Sequence, residues 1–107
     1  MASDLPPLVE RTVQRLIRAL VPERIVLFGS YATGAVNRYS DVDLLVIADI
    51  PGDTVPYQRL AQQLATDCFP RIDIVVATPT EVASADDARS PFLASILASG
   101  ITLYTRH

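Results

Sequence analysis

Residues 24–48 read RIVLFGSYATGAVNRYSDVDLLVIA, and this stretch decides the fold. It opens and closes on short apolar runs, Arg24–Phe28 and Val42–Ala48, of the kind that form buried strands. Between them, the pair Gly29-Ser30 ends the first run and begins a turn or short helix. The stretch therefore predicts two core strands that are joined by a polar connection.

Outside this stretch, helical and strand patterns alternate along the chain. Apolar residues recur every three or four positions in the helical segments, whereas the strands are short continuous apolar runs. The sequence Thr78-Pro79-Thr80-Glu81 has the form of a capping box at the start of a helix. The further predicted elements are helices from about Asp4 to Leu20, from Val55 to Cys68 and after Ser90, and strands over Arg71–Ala77 and Ile101–Thr105.

This alternation indicates the fold class. We expect one α/β (α+β) domain over residues 1–107, in which helices pack on a small mixed sheet. The last strand, Ile101–Thr105, is expected at an edge of that sheet. In the helix over Val55–Cys68, the apolar stripe that faces the core is expected to consist of Leu60, Leu64 and Phe69, with Ala61, Ala65 and Cys68 as small neighbours.

Composition bounds what the protein can be. The chain has 107 residues, of which 50% are hydrophobic and 20% are charged, a composition typical of a folded globular protein. This length suffices for one catalytic domain and leaves no residues for a separate substrate-binding domain. The lone Cys68 excludes an intramolecular disulfide and a multi-cysteine zinc site. No apolar run has the length of a membrane span and no signal peptide is evident, so we expect a cytoplasmic protein with no membrane partner.

The charge argues against a long nucleic-acid partner. The formal net charge is −3, and the nine basic residues are all arginines scattered along the chain. A protein that follows a nucleic-acid backbone needs a basic face to neutralise phosphates. A single nucleotide remains a possible ligand.

Three carboxylates stand in or beside the core strands. Asp43 and Asp73 interrupt apolar runs, where an unpartnered charge costs several kcal/mol. Asp41 lies two residues before Asp43 on one predicted strand, so both side chains project to the same face. Such a pair persists most readily around a cation, and all-oxygen ligands suit Mg²⁺ or Mn²⁺. Asp73 joins the pair if its strand lies beside theirs.

The pair Gly29-Ser30 supplies a second chemical feature. Gly29 lets the backbone approach a ligand closely, and Ser30 is expected to cap the short helix or turn that follows. Free N–H groups and a hydroxyl at this place form an anion site suited to phosphate. Together with the carboxylates, they are the parts that metal-assisted phosphoryl or nucleotidyl transfer requires.

At this point the sequence resembles a known superfamily. Gly29-Ser30, ten intervening residues and then Asp41-Val42-Asp43 is similar to the signature of the DNA polymerase beta-type nucleotidyltransferases, and Asp73 falls where they carry a third carboxylate. The resemblance runs from the first helix to the last strand. In length the chain is most similar to the minimal nucleotidyltransferases, which often act as antitoxins paired with a HEPN-domain toxin.

The resemblance implies a role for each matching residue. Asp41 and Asp43 would bind two Mg²⁺ ions (or Mn²⁺) that hold the nucleoside triphosphate, and Asp73 would bind the catalytic metal and help to deprotonate the attacking hydroxyl. Gly29 and Ser30 would hold the β- and γ-phosphates. The implied reaction transfers AMP from ATP to a tyrosine of the partner toxin and releases pyrophosphate.

One position departs from the pattern of the family. Thr33 stands where many relatives carry a basic residue. Either that phosphate contact is missing, or Arg38 supplies it.

Three functions fit these observations. The first is the adenylyltransferase antitoxin just described, and the intact Gly-Ser pair and three carboxylates favour it. The second is a non-catalytic antitoxin that neutralises its toxin by tight binding; it predicts protection without the carboxylates. The third is nucleotidyl transfer to a small molecule, which requires a wall for the acceptor that this chain does not hold.

Overall fold

The computed structural model describes residues 7–34, 41–65, 71–84 and 91–106 of the chain. Its helices and strands alternate as the sequence predicts. In chain order they are α1 (Pro7–Leu20), β1 (Arg24–Phe28), α2 (Ser30–Thr33), β2 (Val42–Ile47), α3 (Val55–Leu64), β3 (Ile72–Ala77), α4 (Pro79–Ser84), α5 (Pro91–Ser99) and β4 (Ile101–Thr105).

The predicted element bounds agree closely with the structure. Strands β1 and β4 have the predicted ends, and β2 and β3 are each one residue shorter than predicted. The capping box at α4 is present: the backbone N–H of Glu81 donates to Oγ1 of Thr78 at 3.2 Å, and that of Thr78 donates to Oε1 of Glu81 at 3.2 Å. Helix α3 is the exception: it ends at Leu64 with Ala65 as its C-cap, so the prediction that this helix runs on to Cys68 is wrong. The predicted helix starts at Asp4 and Ser90 lie outside the described residues.

The four strands form one mixed sheet in the order β3-β2-β1-β4. Strand β1 is antiparallel to both β2 and β4, whereas β2 and β3 are parallel. The crossover from β2 to β3 runs through α3, as a parallel connection requires. The expectation of a mixed sheet with Ile101–Thr105 at an edge is therefore confirmed.

The sheet is covered on both faces, which explains the nearly continuous apolar sequence of β2. Val42 and Leu44 belong to the core that α1 and α3 cover, here called the α1 face. Leu45 and Ile47 belong to the core that α5 covers, here called the α5 face. Because side chains alternate along a strand, Asp43 projects from the α5 face.

Helix α3 is rotated relative to the sequence prediction. Ala61 is fully buried, whereas Leu60 is 39% exposed and Leu64 is only partly buried. The prediction that Leu60 faces the core is therefore wrong. The small side chain of alanine lets the helix approach the sheet, and the rotation directs two glutamines towards strand β3.

The two glutamines of α3 satisfy the outer backbone edge of β3. The side chain of Gln62 donates to the carbonyl of Ile72 at 2.8 Å and accepts from the N–H of Ile74 at 3.1 Å. Gln58 accepts from the N–H of Val76 at 2.8 Å and donates to the carbonyl of Ile74. Each carboxamide thus takes the place of a residue of a fifth strand, and the pair protects this edge against pairing with another chain.

None of the helices in the described ranges has the length and apolarity needed to cross a membrane.

These contacts predict that the glutamines of α3 contribute unequally to the free energy of unfolding. Substitution of Gln58 or Gln62 by Ala removes two hydrogen bonds and should lower the free energy of unfolding by about 1–2 kcal/mol. Gln63→Ala is the matched control, because Gln63 is exposed on the same helix. Urea unfolding of the three variants measures the difference; equal losses at all three positions would contradict the proposed role of the pair.

Candidate active site

The parallel pairing of β2 and β3 brings two carboxylates together. Asp43 and Asp73 are register partners on these neighbouring strands, and the backbones of paired strands lie about 4.8 Å apart. Both side chains project from the α5 face, and both residues are half-buried. The condition under which Asp73 joins the other carboxylates, adjacency of the two strands, is met.

Asp41 adds a third negative charge to this group. It directly precedes β2, is half-buried, and lies two residues from Asp43. The pKa of Asp43 is raised above its ordinary value, first because burial disfavours the charged form, then because the carboxylates of Asp73 and Asp41 repel it. The three side chains therefore interact electrostatically around Asp43.

Gly29 lies directly against Asp43. Its backbone has φ 75° and ψ −153°, a conformation that is almost restricted to glycine. A methyl group at this position would overlap Oδ2 of Asp43 and lie 3.3 Å from its Cγ. The turn after β1 and the carboxylate on β2 thus fit together only because residue 29 has no side chain.

Ser30 does not cap the short helix, contrary to the sequence prediction. Gly29 occupies the N-cap position, its carbonyl accepts from the N–H groups of Ala32 (3.0 Å) and Thr33 (3.2 Å), and Ser30 is the first residue of α2. The first N–H groups of a helix have no acceptor within it; here they belong to Ser30 and Tyr31. The Ser30 hydroxyl is thus not used by the helix terminus.

Thr33, where many relatives carry a basic residue, contacts its own turn. Its hydroxyl donates to the carbonyl of Ser30 at 3.3 Å. Arg38, the alternative source of a phosphate contact, lies outside the described residues.

Sequence reasoning missed Arg71 as a partner of the site. Its Nε lies 3.2 Å from Oδ1 of Asp73, with 74% of the arginine side chain and 40% of the aspartate side chain exposed. An ion pair this exposed is weak, so another cation can displace the guanidinium. Arg71 could have been found from its position two residues before Asp73, because such residues lie on the same side of an extended chain.

The residues present fit a divalent cation. Asp41, Asp43 and Asp73 offer oxygen ligands only, and their mutual repulsion favours a positive charge between them. Within the described part of the chain, no three carboxylate, His or Cys side chains lie close enough together to hold a metal ion by themselves. Proteins usually bind Mg²⁺ through only one or two carboxylates together with waters and substrate phosphates, so a magnesium site does not require three converging side chains.

An aromatic ring borders the carboxylates, and sequence reasoning missed this as well. Phe28 is the register partner of Asp43 on β1 and packs with the α5-face core. Its ring contacts Phe92 of α5 in an edge-to-face arrangement, with 5.9 Å between the centroids and 85° between the planes. The sequence shows Phe28 beside Gly29, but the pairing register that sets it opposite Asp43 comes only from the sheet.

Comparison with known proteins identifies the family of the chain. The family model of the nucleotidyltransferase domain matches residues 9–95. The curated protein adenylyltransferase MntA of Shewanella oneidensis is 37% identical over 68 residues, which cover 62% of this chain and 49% of that protein. The chain spans about half the length of the curated relatives it matches.

Solved structures share the fold. A crystal structure of a toxin–antitoxin with AMP-PNP superposes with a TM-score of 0.64 at 29% identity, covering 92% of this chain and 74% of the other. A crystal structure of a mutant toxin–antitoxin MntA–HpeT superposes with a TM-score of 0.60 at 27% identity, covering 92% and 73%.

The raised pKa of Asp43 predicts a pH-dependent stability. Because the folded state favours the protonated carboxyl, ionisation of Asp43 lowers stability as pH rises from about 4, the ordinary range of aspartate, through the raised value. Asp43→Asn should therefore raise the melting temperature at pH 7, and the gain should shrink as pH falls towards 4. Thermal unfolding across this range is the measurement. Asp49→Asn, on an exposed residue just after β2, is the control and should show no such trend.

The contact between Gly29 and Asp43 predicts a severe effect of a single methyl group. Gly29→Ala should lower the free energy of unfolding by roughly 1–3 kcal/mol from backbone strain alone, and by more because the methyl overlaps Asp43. Gly34→Ala is the control for a positive φ alone: Gly34 has φ 84° and ψ 2°, in the left-handed α region, and nothing lies within 4 Å of its added Cβ. Chemical unfolding compares the two, and equal losses would show that the overlap has no consequence.

Proposed function

The chain belongs to the nucleotidyltransferase domain family, and we propose that it is a metal-dependent protein adenylyltransferase that acts as an antitoxin. In this proposal it transfers AMP from ATP to a tyrosine of a partner HEPN-type toxin and releases pyrophosphate. The observation that carries the proposal is the register of β2 and β3, which sets Asp43 beside Asp73 while Gly29 packs against Asp43. Nucleotidyl transfer needs this combination of carboxylates and a phosphate-binding turn.

The comparisons support both halves of the proposal. The Shewanella relative is a protein adenylyltransferase by name, and the two similar crystal structures are of toxin–antitoxins, one of them with AMP-PNP. AMP-PNP is an analogue of ATP, which supports ATP as the nucleotide.

The side chains of the site divide the work of the reaction. Asp41, Asp43 and Asp73 would hold up to two Mg²⁺ ions, with Mn²⁺ as the alternative. Such ions neutralise the triphosphate and lower the pKa of an attacking hydroxyl. Asp73 would also receive the hydroxyl proton, since its side chain is 40% exposed and an incoming acceptor can reach it.

The turn formed by Gly29, Ser30 and Tyr31, here called the Gly29 turn, would bind the β- and γ-phosphates, which leave as pyrophosphate. The N–H groups of Ser30 and Tyr31 have no acceptor within α2, and the Ser30 hydroxyl does not cap the helix. These groups would donate to the β- and γ-phosphate oxygens. The tyrosine oxygen then bonds to the α-phosphorus as the bond to the β-phosphate oxygen breaks, and pyrophosphate leaves.

Arg71 would have a positioning role before the nucleotide binds. Its guanidinium lies against Asp73 and partly offsets the excess of negative charge. The pair is exposed and therefore weak, so binding of the metal and nucleotide would release the arginine.

The proposal predicts a carboxylate-dependent transfer of label. When the protein is incubated with ATP labelled in its α-phosphate, Mg²⁺ and the product of the neighbouring gene as the proposed toxin, that product should acquire the label. Asp73→Asn should lower the rate by roughly 10²–10⁴-fold, the range of a positioned acid or base. Asp49→Asn, an exposed carboxylate outside the site, should leave the rate unchanged.

The labelling experiment and two further assays separate the three candidate functions. No transfer of label, or equal transfer by Asp73→Asn, would contradict the adenylyltransferase proposal. If the double variant Asp41→Ala/Asp43→Ala still binds its toxin and still protects cells, the protein acts by tight binding instead. Release of pyrophosphate with small hydroxyl-bearing acceptors, and none with the toxin, would favour transfer to a small molecule.

A further inference from the structure

The partly buried ring of Phe28 and the exposed ring of Phe92 form an aromatic pair beside the carboxylates, and neither the proposed metal site nor the proposed phosphate turn uses it. Phe28 ends strand β1 and directly precedes Gly29. Its cross-strand partner is Asp43, and paired residues of antiparallel strands project to the same face. One neighbour of Phe28 is thus the proposed phosphate turn and another is a proposed metal ligand.

The second ring of the pair is open to solvent. Phe92, in the first turn of α5, is 55% exposed although its helix packs on the sheet through Leu93 and Ile96. The edge-to-face contact with Phe28 restrains its ring. A large aromatic ring that is held in place and still exposed is suited to stack against a flat ligand.

We propose that Phe92, supported by Phe28, is the stacking surface for the nucleobase of the nucleotide substrate. This inference rests on the proposed function, because it takes the position of the triphosphate from the Gly29 turn. The ribose of a nucleotide links its base to the α-phosphate, so a nucleotide whose α-phosphate lies at Asp43 would carry its base one sugar away from that carboxylate. Phe28 lies beside both, and Phe92 extends the aromatic surface outwards from it.

The chemistry of the surface also sets its selectivity. A phenyl ring offers no hydrogen bond to a base edge. It therefore stacks on any base and adds binding affinity without distinguishing one base from another. Phe92 should therefore contribute equally to the binding of adenine and guanine nucleotides. Any preference for ATP would have to come from other groups.

The test compares ligands with and without a base. Binding of Mg²⁺–ATP, Mg²⁺–GTP and Mg²⁺–tripolyphosphate to the full chain is measured by titration calorimetry. Stacking contributes about 1–3 kcal/mol per base, so Phe92→Ala should weaken ATP and GTP by roughly 5- to 150-fold and leave tripolyphosphate unchanged. Phe92→Trp should bind both nucleotides at least as well as the original chain.

Two controls keep the result interpretable. Leu60→Ala truncates another exposed apolar side chain, on a helix of the α1 face, and should change none of the three affinities. Asp43→Asn should weaken nucleotides and tripolyphosphate together. Thermal unfolding of each variant confirms that it is folded at the temperature of the titration, and Phe92→Leu replaces the alanine variant if that one is not.

Each outcome decides the inference. An unchanged ATP affinity in Phe92→Ala, or an equal loss for tripolyphosphate, would overturn the inference. The proposed function would still stand if Asp43→Asn weakens the nucleotides and tripolyphosphate together. Loss of toxin binding with intact nucleotide affinity would assign the ring to the protein partner instead. If the unaltered chain binds neither ATP nor tripolyphosphate in the presence of Mg²⁺, the proposed function fails, and the stacking surface fails with it.

Discussion

The register between strands β2 and β3 is the constraint on which the site depends. It pairs Asp43 with Asp73 and so places two carboxylates on one face of neighbouring parallel strands. A shift of one residue would turn every side chain of β3 to the opposite face and send Asp73 into the core that α1 covers. The apolar residues of β3 enforce this register, because Ile72 and Ile74 are buried in the α1-face core only when Asp73 projects from the opposite face.

Helix α3 reinforces the same register from outside the sheet. Gln58 and Gln62 bind the backbone of β3 at alternate residues, which fixes the height of the helix along the strand. These contacts are possible because Ala61 is small enough to let the helix lie close to the sheet. The outward N–H and C=O groups of edge strand β3, which carries Asp73, thereby find hydrogen-bond partners within the same chain.

The cost of the arrangement is electrostatic. Asp43 is half-buried beside two like charges, and the pKa of its carboxyl is raised as a result. Arg71 offsets the charge of Asp73 only from the surface. A group of carboxylates that lowers the stability of the folded chain is typical of a site whose residues are retained for function, and it fits a protein that binds a divalent cation together with a nucleotide.

The sequence by itself determined the strands, the order of the elements and the family. The apolar runs predicted the bounds of β1 and β4 correctly, the alternation along β2 set Asp43 on the face opposite to Val42 and Leu44, and the spacing from Gly29 to Asp43 indicated the family that the family model confirms. These features are local, and their physical causes act within a few residues along the chain. The role of Arg38 stays a prediction because this residue lies outside the described part of the structure.

Only the tertiary structure decided which of these local features meet. Strand order and register set Asp73 beside Asp43, and the fold of the turn laid Gly29 against that carboxylate and gave the N-cap position to Gly29 instead of Ser30. Helix α3 is rotated so that Ala61 faces the sheet and Leu60 is exposed. The side chains of both the helix and the sheet set the distance between them, and the sequence of the helix alone does not contain this information. Periodicity shows which side of an element is apolar, but it does not show which neighbour the element will have; that choice comes from packing between residues far apart in the chain.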